Sequence, residues 1–236
     1  MIWVVVAIVV VFLLIGLPIA NYSGSQLLET YEKYSKIPCY AKLTGGQFAL
    51  KISNELTGGR IAVARTAGYL TDAYSSRAKT VVLSDETCDS SSVAALAVVA
   101  HEFGHAMQHL NNFSKFKFNL KLAKVTRILG YFIMPIILVG LFLVFVIPSL
   151  TYVGFIFIGI SALILFVSVL FKLLLIPVEK DASKRGLKIL TDMEIVDEEE
   201  YKIAKDLLNA ALLTYVGDFF RALLWWTFLT KKTKLF

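Results

Sequence analysis

The sequence has few charged residues. Only 18% of its 236 residues are Asp, Glu, Lys or Arg, 57% are hydrophobic, and the mean hydropathy is +0.68. A typical soluble domain carries about 25% charged residues, so this composition argues against an ordinary water-soluble protein and predicts a membrane protein. Cysteine is also scarce: Cys39 and Cys88 lie far apart without a CxxC pair. They offer neither a disulfide framework nor a zinc knuckle, which favours a reducing compartment.

The net charge of +6 is too weak and too dispersed for a nucleic-acid-binding protein. The basic residues are scattered among acidic ones and flank the apolar runs, as expected for side chains next to anionic lipids. We therefore expect a lipid bilayer, and no nucleic acid, among the partners.

Three uncharged or nearly uncharged runs are long enough to cross a bilayer. Ile2 to Ala20 lacks the basic start and the cleavage site of a signal peptide, so we expect a retained anchor. Leu129 to Ile147 and Tyr152 to Ile176 are joined by the turn Pro148 to Thr151 and predict a transmembrane hairpin. The chain is thus expected to be a mainly α membrane protein with about three transmembrane helices.

The distribution of Lys and Arg predicts the orientation. Twelve lie between Asn21 and Thr126, six between Pro177 and Asn209, and none in the hairpin turn. By the positive-inside rule both polar segments face the cytoplasm. The last apolar stretch, Ala210 to Thr230, is interrupted by charges; packing on the cytoplasmic segment or lying in the membrane interface is favoured, and a span stays open.

The first polar segment predicts helices, a turn and one strand. A Ser-rich N-cap precedes a helix that ends at the Asn111-Asn112 pair, and the β-branched run TVVLS predicts a strand. The expected elements are helices at Tyr22–Lys36, Gly45–Glu55 and Val93–Leu110, a turn at Gly58-Gly59, a strand at Thr80–Ser84 and a polar connection from Asp85 to Ser92.

The helix Val93–Leu110 carries the motif His101-Glu102-Phe103-Gly104-His105. Histidines four residues apart lie on one face of a helix, where both can bind one zinc ion. Glu102 then points towards the metal-bound water and can accept its proton as general base while the water attacks a carbonyl. Gly104 leaves room for a neighbouring backbone.

A catalytic zinc needs a third protein ligand and an open position. The remaining histidine, His109, is about 12 Å along the helix from His101 and cannot join it on one ion. The third ligand is therefore a Glu, Asp or Cys from elsewhere. Glu179 is favoured because it follows the third apolar run directly, at the expected start of a helix that returns to the cytoplasmic side. Asp181 is its nearest rival.

Several segments together resemble the YugP-like neutral zinc metallopeptidases of bacteria. These are the stretch Leu70 to Tyr74, the strand TVVLS, the helix SVAALAVVAHEFGHAMQ, the segment PVEKDAS and Leu213 to Val216. The resemblance covers most of the chain and implies zinc ligands His101, His105 and Glu179, with Glu102 as base. It also implies broader kinship with HtpX-like membrane gluzincins, many of which carry Asp where Ser183 stands here.

The expected organisation has four parts. An anchor (1–20) precedes a cytoplasm-facing, gluzincin-like α+β zinc lobe (21–126), a transmembrane hairpin (127–176), and a third-ligand helix with a C-terminal helical segment (177–236). The expected function is a membrane-bound metalloendopeptidase with one catalytic Zn²⁺, whose peptide or protein substrate adds to the free edge of the Thr80–Ser84 strand.

Two other functions compete with this one. An intramembrane protease would need its zinc motif inside a span, and residues 21–92 are too polar for that. A non-proteolytic zinc-binding scaffold or chaperone stays open, because a structural metal site can use the same helix. Tyr74 and Tyr215 are candidates for an oxyanion partner, although packing is the commoner role of tyrosine. The substrate, the process, the oligomeric state and any accessory membrane partner are not encoded in recognisable form.

Overall fold

The structure is a computed structural model that describes residues 18–19 and 21–223. The predicted anchor at residues 1–20 falls almost wholly outside the described residues, as does the last part of the C-terminal apolar stretch. The described chain is mostly helical and contains one small sheet.

Along the described chain, helices α1 and α2 come first, the three strands β1 to β3 follow, and helices α3 to α7 come last. Residues 21–34 form α1. The others are α2 (Gly45–Thr57), β1 (Ala62–Thr66), β2 (Ala73–Ser75), β3 (Thr80–Ser84), α3 (Asp85–Asp89), α4 (Val93–Leu110), α5 (Ser114–Val146), a 3₁₀ turn (Pro148–Leu150), α6 (Thr151–Asp192) and α7 (Glu198–Leu223). The expected polar connection after β3 is in part a helix, because Ser84 caps α3 by accepting a hydrogen bond from the Thr87 backbone N–H.

The sheet has the strand order β1-β3-β2, with β1 parallel and β2 antiparallel to β3. The predicted strand Thr80–Ser84 is confirmed, but it is the central strand. It pairs with β1 along its whole length and with β2 at Thr80 to Val82, so it is not an edge strand, and the expectation that a peptide adds to its free edge is wrong. Val81 and Leu83 are fully buried on the face that joins the hydrophobic core.

Helix α4 has the predicted bounds. Ser92 accepts a hydrogen bond from the Ala95 backbone N–H as N-cap, and Asn111 is the C-cap residue. Its first two turns are small or aliphatic, and Ala94, Leu96 and Ala97 are fully buried in the core. The motif-bearing part of the helix is therefore held inside the fold rather than on its surface.

Among the described residues, two helical segments are long and apolar enough to cross a membrane: α5, and Pro148–Asp192, which contains α6. The mean hydropathy of their most apolar stretches is 2.7 and 2.8, respectively. Only 11% and 17% of the residues in their most apolar stretches are buried, so most of this apolar surface is exposed in the described protein. The two helices cross closely where Gly140 and Gly154 meet: a Cβ on Gly154 would lie 2.7 Å from the Gly140 carbonyl oxygen.

Helix α6 does not end with the membrane run. It continues through Pro177 to Asp192, so the expectation of a new helix starting at Glu179 is wrong. The amide of Asn119 on α5 donates to the Leu174 carbonyl oxygen at 3.0 Å, close to this proline. A helix tolerates an internal proline when a neighbouring side chain donates a hydrogen bond to a carbonyl oxygen in the turn before the proline. Glu179 follows Pro177 by two residues on the same continuous helix.

Helices α4 and α6 pack backbone against backbone. A Cβ on Gly104 would lie 2.3 Å from the Ala182 carbonyl oxygen, and one on Gly186 would lie 2.9 Å from the carbonyl carbon and oxygen of Ala100. Larger side chains at these glycines would push the helices apart. The predicted close approach at Gly104 is confirmed, and it brings the zinc-motif face of α4 against the polar end of α6.

Candidate metal centre

His101, His105 and Glu179 come together where α4 crosses α6. Their potential ligand atoms all lie within 4.8 Å of one another. Glu179 Oε2 is 3.4 Å from His101 Nε2 and 3.3 Å from His105 Nε2. Four-residue spacing on α4 places both imidazoles on one face, and the glycine-mediated helix contact supplies the carboxylate from the other side.

These distances fit a tetrahedral ion. Ligand atoms about 2.0–2.1 Å from a tetrahedral zinc lie about 3.3 Å from each other, close to both His–Glu separations. The Glu179 side chain is buried, and within the described part of the chain its Oε2 has no hydrogen-bond partner. A buried carboxylate oxygen without a donor is costly, and a cation bound by the three side chains would remove that cost. Two imidazoles and one carboxylate are also a donor set that zinc accepts.

Each histidine is oriented by a partner at Nδ1. Gln108 Oε1 lies 3.0 Å from His105 Nδ1, and Ser183 Oγ lies 3.2 Å from His101 Nδ1. With Nε2 as the ligand atom, Nδ1 carries the proton and donates to these oxygens, which fixes the tautomer and the ring orientation. Ser183 thus contacts one of the two histidines.

Gln108 is itself held in place. It is fully buried, and its Nε2 donates to the Val178 carbonyl oxygen at 2.7 Å and to Asp181 Oδ2 at 2.9 Å. Asp181 Oδ2 also accepts from Arg185 Nε at 2.6 Å. The rival ligand Asp181 is therefore engaged in orienting Gln108 and lies outside the three-residue cluster.

His109 also lies outside the cluster, as its position along the helix predicts. Its Nδ1 is 2.8 Å from the Tyr74 hydroxyl. This contact occupies the Tyr74 hydroxyl, the first of the two tyrosines considered as an oxyanion partner.

Glu102 and Tyr215 lie next to the cluster and line one cavity together with His101. Burial raises the pKa of Glu102, with Glu179 adding to the effect and His101 and His105 opposing it. Burial also raises the pKa of Tyr215 well above its usual value, and the charges of Glu179 and Glu102 raise it further. A carboxylate with a raised pKa is a better proton acceptor near neutral pH than an ordinary glutamate.

The cluster already favours positive charge. Burial lowers the pKa of His105, but the charges of Glu179 and Glu102 and the polar contacts with Glu179 and Gln108 together raise it to about 9. The same surroundings favour a cation at this place, either a proton or a metal ion. Metal binding to such a site is coupled to release of that proton.

The chain is similar to known proteins over most of its length. Residues 4–230 match the profile of a family described as "Putative neutral zinc metallopeptidase". The chain is 29% identical over 208 residues to "Putative membrane protease YugP" of Bacillus subtilis (strain 168), and the match covers 88% of each chain. No solved structure shows significant similarity to it.

Proposed function

The chain belongs to the neutral zinc metallopeptidase family, and from that membership we propose that it is a membrane-bound, zinc-dependent endopeptidase. His101, His105 and Glu179 are the proposed ligands of one zinc ion, and Glu102 is the proposed general base. The observation that carries the proposal is the His–His–Glu cluster, in which Glu179 is buried and both histidines are partly buried, with a second buried carboxylate, Glu102, beside it.

The protein's own groups divide the work of hydrolysis as follows. When bound, zinc supplies a Lewis acid that polarises the scissile carbonyl and its attacking water. The Glu102 carboxylate takes a proton from that water and later gives it to the leaving amine, a role that suits its raised pKa. Gln108 and Ser183 each contact Nδ1 of one histidine and fix the orientation of its imidazole ring. The two histidine ligands therefore keep a constant position relative to Glu102.

Removal of the metal is expected to abolish cleavage of an unfolded protein substrate by the purified, detergent-solubilised chain. 1,10-Phenanthroline followed by dialysis should remove the activity, and stoichiometric Zn²⁺ should restore it. Mg²⁺ should not, because it prefers oxygen ligands in octahedral geometry. Cleavage that survives verified loss of the metal would rule out the proposed function.

The active site is proposed to face the cytoplasm of a bacterial cell, with the hairpin turn outside. This rests on the distribution of basic residues, on the two apolar helices and on the relative named a membrane protease. Cys88 is partly exposed whereas Cys39 is buried, so a thiol reagent reports mainly on Cys88.

A membrane-impermeant maleimide is therefore expected to leave intact cells unlabelled and to label Cys88 after permeabilisation. A Cys88→Ser variant carrying Ser149→Cys, in the exposed hairpin turn, is the matched control and should be labelled from outside. Labelling of Cys88 in intact cells would contradict the proposed orientation.

A further inference from the structure

A cavity of about 110 Å³ opens beside Glu102. Its wall is largely apolar and comes mainly from three helices, with Leu27 on α1, Val98 on α4, and Leu207, Leu208 and Ala211 on α7. Resting on the proposed function, we propose that this cavity binds an apolar side chain of the substrate, belonging to one of the two residues that flank the scissile bond.

The polar groups in the wall away from the metal centre are already paired. Asp72 accepts hydrogen bonds from the Ser84 backbone N–H at 2.8 Å and from Thr87 Oγ1 at 3.0 Å. Thr214 Oγ1 donates to the Ala211 carbonyl oxygen at 2.6 Å. A polar substrate group would therefore lose its hydrogen bonds to water on entering and find few in return. An apolar group has no such loss and gains from burial.

The size of the cavity selects a short side chain. An aliphatic cavity of about 150 Å³ stays dry and holds a benzene molecule, so the slightly smaller space here fits a branched side chain such as that of Leu or Val. A whole acyl chain of a membrane lipid would not fit in it. This favours a substrate side chain over lipid as the occupant.

The position of the cavity fixes where that side chain belongs in the substrate. Glu102 and His101 form part of its wall. Because Glu102 acts on the water that attacks the scissile carbonyl, a group that fills the cavity is within one residue of that carbonyl. The cavity thus acts as a specificity pocket next to the bond that is cut.

The test uses peptides that are identical except at one residue flanking the cleaved bond, where Leu, Phe, Ala, Ser or Asp is placed. Wild-type protein should cleave the Leu peptide roughly ten- to a hundredfold more efficiently, in kcat/KM, than the Ser peptide. Ala211→Leu fills the cavity and should reverse the order of the Leu and Ala peptides. Asn209→Leu places the same leucine at an exposed position of α7 outside the cavity wall, and it should leave the order unchanged.

Binding to the Glu102→Gln variant provides a second measurement that needs no cleavage. Fluorescence anisotropy should show tighter binding of the Leu peptide than of the Ser peptide, and Ala211→Leu in the same background should remove the difference. Equal binding of the Leu and Ser peptides would overturn the pocket assignment. So would octanoate, used as a probe for a lipid chain, if it displaced both peptides equally well. Zinc-dependent cleavage without a preference between the peptides would overturn the pocket assignment and leave the proposed function intact. Absence of any zinc-dependent cleavage by the wild-type protein would instead defeat the proposed function. The binding measurement would still decide whether the cavity is a pocket for an apolar side chain.

Discussion

Glu102→Gln is expected to reduce peptide hydrolysis by about 10²- to 10⁴-fold, the usual contribution of a general base, while metal content stays at one equivalent. The glutamine keeps the shape of the side chain but cannot accept the proton of the attacking water. Glu102 is outside the His–His–Glu cluster, so the three proposed ligands keep their positions. Rates measured on an unfolded substrate, together with metal analysis of the same preparation, check both halves of this prediction.

A matched control separates this effect from a general loss of fold. Glu55→Gln makes the same change at an exposed residue of α2 and should leave the rate unchanged. If Glu102→Gln retains zinc and hydrolyses peptides within tenfold of the wild-type rate, Glu102 is not the base. If it loses hydrolysis but keeps full biological activity, the zinc-binding scaffold or chaperone becomes the better explanation.

Glu179→Gln is expected to weaken zinc binding by more than about a hundredfold. Removal of a single residue that orients a ligand already costs about 10- to 100-fold in metal affinity, and the loss of a charged ligand should exceed that. The remaining donors would be His101 and His105, two neutral imidazoles on one helix. Competition with a fluorescent zinc chelator measures the change directly.

Asp181→Asn is the informative comparison, because Asp181 is two residues away and was the rival ligand. Its carboxylate accepts from Gln108 and Arg185, so its replacement should cost only the smaller, orienting contribution. The opposite order, with zinc lost in Asp181→Asn and kept in Glu179→Gln, would show that the third ligand is misassigned.

The bounds of helix α4 could be predicted from the sequence because several local signals agree there. Ser92 is a good cap, the following residues are small and apolar, and His101 and His105 have helical ligand spacing. The strand Thr80–Ser84 was predictable from its β-branched run. A segment can be predicted from its sequence when its local conformational preferences agree with the structure it adopts in the fold.

The two flanking strands carried weaker signals. The strand Ala62–Thr66 has an exposed arginine near its end and no strict alternation, and Ala73–Ser75 is only three residues long. Both are defined by their pairing with the central strand rather than by their own sequences. Missing them turned the central strand into an apparent edge and led to the wrong expectation for peptide binding.

The orienting residues were missed for different reasons. Gln108 was readable in principle, because it lies three residues after His105 and therefore on the same helical face. Ser183 approaches from α6, and no local pattern marks it as the partner of His101. Its placement depends on the backbone contact at Gly104 and Gly186, which only the folded structure reveals. Tyr215 was a candidate from the sequence, but its position beside Glu102 depends on how α7 packs in the folded protein.

The central claim is that one zinc ion joins helix α4 to the polar end of the membrane hairpin through His101, His105 and Glu179. An experimental structure of the metal-loaded protein, with anomalous data collected on both sides of the zinc absorption edge, tests it most directly. The account predicts a single zinc peak about 2.0–2.2 Å from both Nε2 atoms and a Glu179 carboxylate oxygen. A zinc ion held by Asp181 or by any other third ligand, or no zinc at the helix crossing, would contradict it.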